Sequence, residues 1–172
     1  MLLFISIITI RRGCAPLLYK SKFRYDVDMT KERGGFHVVA DDGEVTLKAW
    51  GHTLEELFLQ SLCGMSSLVS EHALKSSSKG RRVKEEITIQ AVDVNSMLVE
   101  FLSEAASRIT MGGIVFVGAE FGEFGEDFLS GTLEGVQVDE LAREVHAVID
   151  DSVDVKKNPD TGYFETMIGF VM

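Results

Sequence analysis

The chain has 172 residues, a formal net charge of -10, 45% hydrophobic and 26% charged residues. That length predicts one domain with a core that needs no staples, and the composition is ordinary for a soluble globular protein. The acidic balance argues against direct nucleic-acid binding, because a phosphate backbone repels an acidic surface at long range.

The first ten residues, "MLLFISIITI", are apolar and then meet Arg11 and Arg12. The run is shorter than the ~20 residues a spanning helix needs. It has no basic segment before it, which makes it a poor signal peptide. Residues 1–28 are read as a mis-assigned start or a tail, with an extra strand or a weak anchor as alternatives. Residues 29–172 are read as the folded domain, beginning at "MTKERGGFHVV".

Two short extended runs flank Asp41-Asp42-Gly43, and the Asp-Gly pair is a tight-turn signal. Val45, Leu47 and Ala49 alternate with Thr46 and Lys48, which predicts a half-buried strand. A Trp50-Gly51 corner ends it, with Trp50 expected to be largely buried. Thr53 and Glu56 form a capping box. Leu54, Leu57, Phe58, Leu62, Met65 and Leu68 then follow with helical spacing, so a helix is expected over 53–70. Cys63 sits on that pattern as a small buried residue; the only other cysteine is Cys14, and the two form no CxxC or Cys/His zinc spacing.

A Ser/Gly/Lys loop, 74–82, precedes "VKEEITIQAV", a strand with Ile87 and Ile89 on one side. The segment "KSSSKGRRVK" holds much of the positive charge and fits a protein partner better than an RNA groove. "VNSMLVEFLSEAASRI" is a second amphipathic helix, entered at Asp93 or Asn95 and ended by Gly112-Gly113. "IVFVGAEF" and "DFLSGTLEGV" read as strands joined by "GEFGE", and "VDEL" as one helical turn. "REVHAVI" is a strand that "DDSVDVKK" continues. Residues 158–162 are a hairpin loop and "YFETMIGFVM" is the closing strand. The elements alternate without a regular βαβ rhythm, which predicts an α+β fold: a largely antiparallel sheet packed with two main helices.

The stretch from Asp41 to Leu68, centred on "LKAWGHTLEELF", resembles the archease family. That family carries a His-Thr-Ala-Asp motif, a strand, a Trp-Gly corner and then Thr-Leu-Glu-Glu-Leu-Phe. "DVNSMLVEFLSEAASRI" is similar to the family's second helix. "REVHAVIDD" resembles its Thr-Glu-Val-Lys-Ala-Val-Thr-Tyr-His strand. The likeness covers about residues 34–172. It implies a cytoplasmic accessory protein, not itself an enzyme. Its partner would be the GTP-dependent RNA ligase of tRNA splicing, whose guanylylation and turnover it promotes. It implies no sequence-specific nucleic-acid contact and no membrane.

The family's metal site is rewritten in this sequence. Aligned on "AWG", the motif His, Thr, Ala and Asp fall on Asp41, Asp42, Gly43 and Glu44. The family's Tyr-His becomes Asp150-Asp151, and its near-terminal metal-binding Asp becomes Val171. Carboxylates suit a hard divalent cation, with Ca2+ the candidate. The expected ligand set is therefore Glu44, Asp41, Asp150 and Asp151 around Val171, with the terminal carboxylate of Met172 as a partial replacement. The same residues also read as a solvated turn and a charged strand end. Two further readings stand beside the accessory one: a paralogue that only binds protein partners, with no working metal site, and a metal-dependent hydrolase built on the carboxylates.

Overall fold

The computed structural model describes residues 34–41, 44–70, 73–74 and 80–172, with the backbone alone at 39–41 and 44. Residues 1–28, read above as a tail or mis-assigned start, lie outside the described residues.

The β1 strand (Gly35–Asp41) and β2 (Glu44–Gly51) pair antiparallel, and the Asp42-Gly43 turn expected between them lies outside the described residues. Val45, Leu47 and Ala49 face inward and are buried, as the alternation requires. The helix α1 (Leu54–Val69) starts one residue after the Thr53 cap, whose side chain accepts from the Glu56 amide at 3.1 Å. The Glu56 carboxylate reaches back to two amides, His52 at 2.7 Å and Gly34 at 2.9 Å. The capping box thus also ties the start of β1 to the helix.

The strand β3 (Arg82–Gln90) follows with Ile87 and Ile89 buried, and leads to α2 (Val94–Gly112). The α2 helix is capped by Asp93, which accepts from the Ser96 amide at 2.8 Å, and closes on Gly113 at φ 62. Then come β4 (Ile114–Phe124), β5 (Phe128–Gln137), β6 (Ala147–Ile149), a 3-10 turn at Asp150–Ser152, β7 (Lys156–Lys157) and β8 (Phe164–Val171). The strands form two antiparallel sheets. One runs β1-β2-β8-β6 with β7 also on β8; the other runs β3-β5-β4. This is the α+β fold with two helices that the sequence predicts.

The α1 helix touches β1 and β2 of one sheet, β4 of the other, and α2. Its residues from Leu57 to Ser67 are all buried, polar ones included. A helix apolar on one stripe is usually a surface helix, and this one is enclosed instead. The cost is met locally at two of its serines: the Ser61 hydroxyl donates to the Leu57 carbonyl at 2.8 Å and the Ser67 hydroxyl to that of Gly64 at 2.6 Å, whereas the Ser66 hydroxyl and the Gln60 side-chain oxygen are buried without a partner among the described residues. Phe58, Phe101, Phe116 and Phe170 are the largest side chains of the core. Phe121 and Phe124 join it through ring contacts, with Phe124 edge-on to Phe58 at 5.0 Å, so these aromatics are packing and not a free surface.

Four expectations need correction. "VDEL" forms no helical turn: the Ala142 amide, which would close such a turn on the Val138 carbonyl, donates to the Val69 carbonyl instead, and the Val138 amide donates to the Gly113 carbonyl. "REVHAVI" pairs over Ala147–Ile149 alone, because β8 ends where Ala147 meets Val171 and offers no ladder beyond it. "DDSVDVKK" does not simply continue the sheet. The Ser152 hydroxyl donates to the Ile149 carbonyl at 2.5 Å and accepts from the Gly169 amide at 2.7 Å, standing in for a strand residue while the backbone turns. Trp50 is half-buried; it sits on β2 with its ring against Gly35.

Candidate functional site

The β1–β2 register places Asp41 opposite Glu44. On the other side of β2, Val45 pairs with Phe170. One step further, β2 begins at Glu44 and β8 ends at Val171, so the two residues end neighbouring strands at the same edge of the sheet. Beyond β8 the neighbour at this edge is Ala147, opposite Val171, and the His146 amide donates to the Val171 carbonyl at 2.8 Å.

The family resemblance leads one to expect Asp150 and Asp151 beside this edge. The β6–β8 pairing runs Ala147↔Val171 to Ile149↔Gly169, so the chain moves away from Val171 before it reaches Asp150. Three residues of strand are roughly 10 Å, and β8 lies between β6 and β2. Asp41, Glu44, Val171 and Met172 therefore share one sheet end, and Asp150-Asp151 lie along the sheet from it. Both aspartates are exposed. Met172 is partly buried against the core.

Val171 is 47% exposed and offers no side-chain oxygen, and its carbonyl already accepts from His146. A hard cation needs several oxygen ligands, so the β8 side of this edge fits one poorly. Among the described residues no three His, Cys, Asp or Glu side chains stand close enough together to hold a metal ion; those of Asp41 and Glu44 are outside that set.

Of the histidines, His37, His52 and His146 are exposed, and His72 lies outside the described residues. His52 precedes the α1 cap and its ring lies 4.3 Å from that of Tyr163. The backbone neighbours of Val171 on the β6 side are His146 and Ala147. Only strand register could have found them. Met167 is exposed, while Thr166, Ile168 and Phe170, which alternate with it, face inward.

A central helix held between an open antiparallel sheet and a second three-stranded sheet defines the structural class. The sequence profile of the Archease protein family (MTH1598/TM1083) matches residues 36–168, and the chain belongs to that family. The solution structure of Methanobacterium thermoautotrophicum protein 1598 is similar in fold, with a TM-score of 0.59 at 22% identity over 80% of this chain and 99% of that one. No curated protein matches the chain significantly.

Proposed function

We propose that this protein is an accessory factor, not itself an enzyme, for a GTP-dependent RNA ligase in tRNA splicing. It promotes guanylylation of the ligase and its release for further turnovers. The observation that carries this reading is the family match across residues 36–168, with the Thr53–Glu56 box and the Trp50-Gly51 end of β2 intact. Cytoplasmic residence goes with that role. No helix among the described residues is long and apolar enough to cross a membrane.

A divalent cation, Ca2+ or Mg2+, binds weakly under this reading, held by Asp41 and Glu44. The cation would supply positive charge at the acidic sheet end; Glu44 and Asp41 orient and neutralise it. Val171 favours a second reading, in which the protein aids the ligase by contact alone and has no working metal site.

A ligation assay with the purified ligase of the same organism, GTP and broken tRNA tests both. With this protein present, each ligase should complete several ligations and become guanylylated faster. Equal turnover without it sinks the accessory role. Stimulation that survives a chelator selects the contact-only reading.

A further inference from the structure

The outer face of β8 carries an apolar strip. Thr166, Ile168 and Phe170 point into the core, which turns Met167 and Val171 outward, 44% and 47% exposed. Four residues of strand separate them by about 13 Å. Gly169 lies between, and a Cβ there would be 3.0 Å from Ile149 Cδ1, so the Ile149 side chain covers it and bridges the gap. Ala147, opposite Val171, is exposed and extends the strip sideways. The solvated face of an antiparallel sheet is normally polar. The other large exposed apolar residues among the described residues, Val92 and Met111, stand apart at the two ends of α2.

The charges around the strip are uneven. Lys48 beside Met167 is paired with Glu165 at 3.6 Å, and Lys156 is paired with Asp154. Asp150 and Asp151 follow Ile149 directly, are exposed, and have no cationic partner among the described residues. The uncompensated charge at the rim is negative.

We propose that the Met167–Ile149–Val171 strip docks an apolar segment of a partner protein, one flanked by Lys or Arg that meet Asp150 and Asp151. Apolar contact at the centre supplies affinity, and the acidic rim supplies orientation and encounter rate. With the ligase as that partner, the inference rests on the accessory role proposed above. It also gives Val171 a use: at the sheet end where an acidic residue would repel an apolar segment, valine accepts one.

Calorimetric titration of the ligase into four forms of the full chain tests this. The forms are wild type, Met167→Glu, the Asp150→Lys/Asp151→Lys pair, and Val92→Glu as a distant control. Met167→Glu should weaken binding about tenfold or more. The aspartate pair should weaken it several-fold, more at low salt than at high, and Val92→Glu should bind as wild type. Melting curves check that each form is folded. Wild-type binding that Met167→Glu leaves unchanged overturns the docking surface alone. No binding by wild type overturns the accessory role and this surface together. Sedimentation of a wild-type dimer that Met167→Glu dissociates assigns the strip to a second copy of this chain, and also overturns the proposal.

Discussion

Substituting Gly51→Ala should destabilise the protein by about 2–3 kcal/mol, although alanine is ordinarily the better residue in a strand. A Cβ on Gly51 would lie 2.5 Å from the Leu57 amide nitrogen and 2.9 Å from the Glu56 carbonyl carbon. Those atoms are backbone of the first turn of α1, so no side chain can rotate out of the way. Overpacking of this kind costs about 1–3 kcal/mol. Relief requires the helix start to shift, which endangers the Thr53 cap, worth about 1 kcal/mol. It also strains the two bonds of the Glu56 carboxylate, at about 0.5–1.5 kcal/mol each when fully lost. The lower backbone entropy of unfolded alanine returns roughly 0.5–1 kcal/mol. Urea unfolding should give a lower midpoint with an unchanged slope, and amide exchange should quicken at Glu56 and Leu57. Gly122→Ala is the control, since its nearest contact would be the Ser130 carbonyl at 3.9 Å. A loss below ~0.5 kcal/mol at Gly51, no larger than a surface change, would refute the close-approach argument.

Glu56→Ala should cost about 1–2 kcal/mol by urea unfolding, since it frees the Gly34 and His52 amides together; an unchanged midpoint would mean water replaces the carboxylate at no cost. The Asp93 carboxyl is held below its usual pKa, chiefly by hydrogen bonds from the Ser96 amide and side chain. A depressed folded-state pKa gives stability that is present above the unfolded value and lost as pH falls through the folded one. Asp93→Asn should therefore flatten the acid limb of the melting-temperature profile below about pH 4, and an identical limb in the variant would reject the assignment. Val171→Asp should tighten Ca2+ or Mg2+ binding by calorimetry, and Glu44→Gln should weaken it. If wild type takes up no metal and Val171→Asp gains none, Asp41 and Glu44 close a solvated turn. Val171→Asp should at the same time weaken the docking described for the β8 strip.

The local elements were legible because their signals are local. Thr53 and Glu56 are three residues apart, and the hydroxyl and carboxylate meet their amides in one turn of helix. Val45, Leu47 and Ala49 bury themselves by simple alternation, and Gly113 ends α2 by taking a left-handed backbone. Pattern also carried the family likeness, which lies in those same capped and alternating segments. What pattern could not supply was which strand lies beside which. That Glu44 and Val171 end adjacent strands, and that His146 and Ala147 take the place expected of Asp150 and Asp151, follows from β8 inserting between β2 and β6. The same insertion cuts "REVHAVI" to three paired residues and leaves Ser152 to complete the ladder with its side chain. The β1–β2 register, Gly35 opposite Trp50, leaves Trp50 half-buried over Gly35. Strand order and register are set by burying the inward faces of distant segments around α1, a sum over the whole core that no window of sequence contains.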